Sequence, residues 1–205
     1  MYLFYTFGLA GGFTLGLPYF LYKFCTTDKY RGGIKERFGF LPPSLLTMLS
    51  GRRPLWIHGV SVGEITAVTP LVTALQEHYP ALPLLVSTGT VTGQQTARKQ
   101  LPTVRHFCYF PLDFPWVVRR VVDRLQPRGV ILVETEIWPN FLRYLARHQI
   151  PVLLVNGRIS PRSFRGYRWI APFMRRVLAD MTFCSMQTVQ DAERLLALGA
   201  DPDKV

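Results

Sequence analysis

In this 205-residue chain, side chains able to do chemistry collect directly after apolar, β-rich runs. His58-Gly59-Val60-Ser61-Val62-Gly63-Glu64 follows one such run and Ser87-Thr88-Gly89-Thr90-Val91-Thr92-Gly93 a second. Pro111-Leu112-Asp113 follows a third, Glu134-Thr135-Glu136-Ile137-Trp138-Pro139-Asn140 a fourth, and Asn156-Gly157-Arg158-Ile159-Ser160 a fifth. The stretch from Gly59 to Gly63 satisfies G-x-S-x-G, the spacing of a nucleophile elbow that would make Ser61 an acyl-transfer nucleophile. The context is wrong for it: only one strand precedes, and no histidine lies at a later strand end. Ser61 and Gly63 then shape a tight turn and a helix start. Glu64 has two readings of equal weight. It is a first-turn carboxylate favoured by the helix dipole, by about 0.3–1 kcal/mol, or a general base that takes a proton from an attacking hydroxyl if burial raises its pKa.

Glu134 and Glu136 straddle Thr135 at a strand end, so strand geometry sends them to opposite faces and only one can point into a site. The alternative is structural: a helix N-cap and an ion pair with a nearby arginine. The Ser/Thr/Gly loop at 87–93 resembles an anion cradle at a helix N-terminus, with Thr88 and Thr90 beside backbone N–H groups. It is neither a Walker motif nor G-x-G-x-x-G, and N-capping by Thr92 explains it equally well. Arg158 beside Asn156 adds a bidentate phosphate contact or is a solvated cation.

The elements that position these loops alternate. Strand character falls at 55–58, 82–87, 105–109, 129–133, 152–155 and 181–184. Between these runs Val68, Leu71, Val72, Leu75 and Tyr79 form one helical stripe, and Val117, Val118, Val121, Val122 and Leu125 another. Further helices fit 139–148, 161–178 and 188–198. Alternation with near-continuous apolar strands predicts an α/β fold, a Rossmann-like parallel sheet flanked by helices, with ligands at the carboxyl ends of the strands. On the helix at 161–178, Arg162, Arg165, Arg168, Arg175 and Arg176 fall within an arc of about 140°, a face suited to solvent, nucleic acid or a membrane.

The chain carries 24 Lys and Arg against 13 Asp and Glu, a net +11, which favours an anionic partner. Nothing resembles a nucleic-acid-binding motif. Cys25, Cys108 and Cys184 are far apart, without metal-ligand spacing, which excludes a disulfide scaffold and a zinc finger. Residues 1–22 hold no charged side chain. The run to residue 24 is long enough to cross about 30 Å of hydrocarbon, although Gly11, Gly12, Gly16 and Pro18 weaken that helix and leave a monotopic one open; the structural alternative is a helix packed in the core. The cations Lys23, Lys29, Arg31, Lys35, Arg37, Arg52 and Arg53 that follow predict a cytoplasmic domain on an anionic membrane surface. The expected organisation is a membrane anchor helix at 1–24, a basic juxtamembrane linker at 25–53 and a Rossmann-like domain at 54–205.

Taken together, Trp56-Ile57-His58-Gly59-Val60-Ser61-Val62-Gly63-Glu64 and Glu134-Thr135-Glu136-Ile137-Trp138-Pro139-Asn140 closely resemble signature stretches of the bacterial 3-deoxy-D-manno-octulosonic acid (Kdo) transferases. Lys35-Glu36-Arg37-Phe38-Gly39, Asn156-Gly157-Arg158-Ile159-Ser160 and Leu198-Gly199-Ala200 agree in order. The resemblance implies one half of a GT-B glycosyltransferase of lipopolysaccharide assembly at the cytoplasmic face of the cell inner membrane. It implies inverting transfer of Kdo from CMP-Kdo to lipid IVA, without metal or cofactor. The family's proton acceptor maps onto Glu64 and its proposed transition-state stabiliser onto Glu134, with Ser61, Gly63, Thr88, Thr90 and Arg158 as expected substrate contacts. The nucleotide-binding second domain has no counterpart in these residues, so the expectation is an acceptor-binding half that does not turn over alone. The competing expectation is a non-catalytic module of the same fold that binds anionic lipid.

Overall fold

Residues 1–26 and 32–205 are described by the structure, a computed structural model. The helices α1 (Tyr2–Thr26), α2 (Ile34–Arg37) and α3 (Pro43–Leu49) come first. The chain then alternates through β1 (Leu55–His58), α4 (Val62–His78), β2 (Leu84–Thr88), α5 (Val91–Gln100), β3 (His106–Tyr109), α6 (Pro115–Leu125), β4 (Gly129–Val133), α7 (Pro139–Arg147) and β5 (Val152–Gly157). It closes with α8 (Pro161–Arg168), α9 (Ala171–Ala179), β6 (Phe183–Met186) and α10 (Val189–Ala197). Among the described residues the strands form one parallel sheet in the order β3-β2-β1-β4-β5-β6. The α/β expectation, with its parallel sheet flanked by helices, is what the structure shows.

Every residue of β2 and β4 is buried, as strands covered on both faces require. Alternation divides them between two apolar layers. Trp56, Leu85, Val130, Leu132 and Leu154 face α3, α6, α7 and α9, while Ile57, Leu84, Val86, Ile131 and Val133 face α4 and α5. All five α6 residues of the expected stripe are buried, each worth about 1.5–3 kcal/mol of hydrophobic stabilisation. In α4 the stripe is rotated: Ile65, Val68 and Val72 are buried, whereas Leu71 and Tyr79 are exposed.

Two expectations are corrected. The helix at 161–178 is two helices, broken at Trp169 and Ile170, because Pro172 in the first turn of α9 has no N–H for the preceding helix. The basic arc is therefore not one continuous helical face. The stretch after residue 31 is not a linker: Leu41, Leu45 and Leu49 enter the core, and the carbonyl of Arg37 accepts from the Leu112 N–H at 2.8 Å. Asp28, Lys29 and Arg31 of the basic cluster lie outside the described residues.

The anchor helix is not confirmed. Among the described residues, no helix is long and apolar enough to cross a membrane. Instead α1 lies on the domain through Tyr2, Tyr5, Thr6, Leu9 and Phe13, half-buried at helical spacing. Tyr2 donates to Asp180 at 2.7 Å and Tyr5 to Asp113 at 3.0 Å, and both rings pack on Phe173. Phe13 meets Phe38 and Phe114 edge to face. The opposite side exposes Leu3, Phe4, Phe7 and Leu15.

Asp113 joins these parts. Its carboxylate accepts from the backbone N–H of Asn140 (3.0 Å) and Phe141 (2.7 Å) as well as from Tyr5, so one buried side chain caps α7 and holds α1. Asp113→Ala orphans two helix N–H groups, and we expect a loss of about 2–4 kcal/mol in urea unfolding of this chain, with earlier proteolysis within α1.

Candidate active site

β1 and β4 are neighbours whose following helices leave on opposite faces of the sheet. Their carboxyl ends form the switch point, where such sheets bind ligands. Glu64, from the first turn of α4, and Glu134 and Glu136, from the loop after β4, meet there: the charge of Glu64 acts on both of the others.

Glu64 is ordered by its own loop. One carboxylate oxygen accepts from the Val60 N–H at 2.6 Å and the other from the Ser61 hydroxyl at 2.8 Å, while Ser61 Oγ accepts the Glu64 N–H as N-cap. This is a capping box in which the glutamate reaches one residue beyond the cap. The same bonds hold the carboxylate in place at the switch point. Gly63 is exposed beside it; a Cβ there would meet only Ser61 Oγ, at 3.9 Å. Packing does not call for this glycine, and it leaves the space next to Glu64 open.

The expected alternation of Glu134 and Glu136 fails because β4 ends at Val133. Glu134 takes a left-handed backbone (φ 62°), as does Asn156 (φ 55°) at the corresponding place on β5. Non-glycine residues rarely adopt this conformation, and the turn brings both carboxylates to the same end of the sheet as Glu64. Burial and the charge of Glu64 push Glu134 up, opposed by Arg158. Burial raises Glu136 to about 7, with Glu64 and Glu134 adding and the Trp138 indole N–H, donating at 2.9 Å, opposing.

The other expected residues are placed as follows. Thr90, not Thr92, caps α5: it accepts from the Gly93 N–H at 3.0 Å and donates to the Val60 carbonyl, tying the second loop to the first. Thr88 is buried and donates to Gln94 at 2.8 Å. Arg158 is exposed at the mouth, and the Thr135 hydroxyl donates to its carbonyl. Two contributors were not read as parts of the site in the sequence. Arg37 donates to the Gly89 carbonyl at 2.7 Å and lies over the Tyr109 ring, while Glu36 accepts the Tyr109 N–H, so the Lys35–Gly39 stretch props the second loop. His58 is fully buried at the end of β1, stacked on Phe110. Its position before Gly59 marked it as a strand end and nothing more.

Fold and site define a doubly wound α/β domain with a cluster of carboxyl groups at its switch point. Residues 32–205 match the family model described as 3-deoxy-D-manno-octulosonic-acid transferase (Kdo transferase), and the chain belongs to that family. It is 33% identical over 180 residues to the 3-deoxy-D-manno-octulosonic acid transferase of Haemophilus influenzae, covering 87% of this chain and 41% of that protein. The enzyme of the same name from Bordetella pertussis is 35% identical over 72% of this chain and 35% of its own length. That of Chlamydia pneumoniae is 30% identical over 98% of this chain and 46% of its own length. The chain thus spans less than half the length of these curated relatives.

Because no neighbour crowds Gly63, Gly63→Ala should leave unfolding stability unchanged or raise it, by at most about 1 kcal/mol. A clear loss of stability in thermal melts would show that the glycine is required by the fold instead.

Proposed function

We propose that this chain is the acceptor-binding half of a glycosyltransferase that moves Kdo from CMP-Kdo to a hydroxyl of lipid IVA with inversion. The observation that carries the reading is the Glu64 carboxylate, ordered by Val60 and Ser61 at the switch point with Glu134 beside it. Glu64 takes the proton of the attacking hydroxyl as its oxygen bonds to the anomeric carbon of Kdo, and CMP leaves with the electron pair of the broken bond. Glu134 lies where positive charge develops on the sugar and stabilises it. Ser61 orients the base, Gly63 keeps the approach open, and Thr90 and Thr88 shape the second loop. Arg158 meets an anionic group of the substrate. The CMP portion is held mainly by a second Rossmann-like domain, for which the greater length of the relatives has room. No metal or cofactor is required.

The same proposal places the domain at the cytoplasmic face of the inner membrane. The exposed side of α1 enters the headgroup boundary as a monotopic helix. Arg162, Arg165, Arg168, Arg175 and Arg176, exposed on α8 and α9 with Trp169, attract anionic headgroups. A second reading, a lipid-binding module without chemistry, is favoured by one fact: both oxygens of Glu64 already serve its own loop.

Glu64→Gln in the complete protein separates the two. We expect Kdo transfer to fall by about 10²–10⁴-fold with lipid binding and melting temperature near wild type; normal turnover would refute the base. For the membrane reading, reversing Arg165, Arg168, Arg175 and Arg176 to Glu should weaken co-sedimentation with anionic vesicles and steepen its salt dependence, whereas unchanged partitioning would return that face to plain solvation.

A further inference from the structure

His58 presents a problem of hydrogen-bond accounting. Its Nδ1 lies 3.1 Å from the Ser87 carbonyl oxygen and 3.0 Å from Ser87 Oγ, which itself accepts from the Trp56 indole N–H. A carbonyl oxygen only accepts, and we assign the ring proton to Nδ1 as the donor to it, the serine hydroxyl being able to serve either tautomer. Nε2 is then a bare lone pair. It is fully buried and has no hydrogen-bond partner, an arrangement proteins rarely leave uncorrected. The group it faces is Glu136 Oε2, 3.9 Å away. A lone pair facing a carboxylate is repulsive; a lone pair facing a carboxylic acid can become a hydrogen bond after a shift of about an ångström.

We propose that His58 is a positioning residue whose Nε2 holds the proton of Glu136, keeping that side chain a neutral carboxylic acid beside Glu64. The surroundings agree from every side. His58 is pushed down to about 3 by burial, with Arg37 of α2 adding, so the ring does not become imidazolium and the 3.9 Å approach is not an ion pair. Glu136, at about 7, faces Glu64 of α4 and Glu134 of its own loop, and Tyr167 of α8 feels its charge. The Trp138 N–H on Oε2 is compatible with either form of the carboxyl group. The pair removes one negative charge from a cluster of three carboxyl groups. Resting on the Kdo-transfer reading, this makes the site tolerant of anionic partners, the phosphates of the acceptor and the carboxylate of the sugar. Above neutral pH the lost proton restores the third charge and repels them.

The test needs no turnover. In this chain labelled with ¹³C at the glutamate carboxyl and ¹⁵N in histidine, we expect Glu136 to titrate near neutrality and His58 to remain the Nδ1–H tautomer throughout. His58→Phe preserves the stack on Phe110 and removes the acceptor, and should lower the Glu136 midpoint by about one pH unit or more. If that variant does not fold, Glu136→Gln offers an amide donor to Nε2 and should leave the His58 ring signals in the same tautomer. A Glu136 midpoint in the ordinary carboxylate range, an Nε2–H on His58, or an unmoved midpoint in His58→Phe overturns the proposal. In the complete protein, the KM for lipid IVA should rise above neutral pH and flatten in Glu136→Gln; a pH-independent KM in wild type refutes the charge role. Absence of Kdo transfer at every pH would sink the functional reading alone, because the titration stands without it.

Discussion

β1 and β4 run side by side with helices on both faces, and their side chains are removed from water almost without exception. A parallel sheet covered in this way has no room along its length for ionised groups, whose burial without partners is very costly. Polar chemistry is driven to the ends of the strands, where backbone carbonyls and helix N-termini already require partners. The positions of Glu64, Glu134, Glu136 and His58 follow from that constraint. His58 is the one titratable side chain in the central strands β1 and β4, and it occupies the last residue of β1.

At Glu64 the structural and the chemical readings use the same bonds. A carboxylate that reaches back to Val60 N–H and Ser61 Oγ–H starts α4 correctly and is at the same time fixed in place. Preorganisation of this kind would lower the cost of ordering Glu64 in its proposed role as base. The interaction of Thr90 with the Val60 carbonyl extends the arrangement, so that the first two loops move as one piece.

Much of this was legible in the sequence because the period of the apolar residues was unambiguous. The bounds of β1 and β4, and the α6 stripe, were read correctly from Leu55, Gly129 and the valines of 117–122. What stayed hidden depended on tertiary context. A 22-residue stretch without charge reads as membrane-spanning until Tyr5 is seen to donate to Asp113, a partner 108 residues away. The left-handed backbone at Glu134 has no local signature, so strand alternation gave the wrong faces for two glutamates. Arg37 read as a headgroup cation, yet it is consumed by the Gly89 carbonyl and the Tyr109 ring. His58 declared nothing at all, since an unpaired nitrogen is visible only once its surroundings are assembled.

The capping of α7 by Asp113 has a mechanical consequence. The same carboxylate holds Tyr5 of α1 and the start of the helix that directly follows the Glu134–Trp138 loop. With α1 lying in the headgroup layer as proposed, the catalytic site cannot rise or sink independently of the bilayer. On that proposal the protein would act as a gauge of fixed height, selecting acceptors by how far their reactive hydroxyl projects from the surface. A sugar placed too close to the acyl chains, or too far out, would miss Glu64 even if every polar contact in the site could be made.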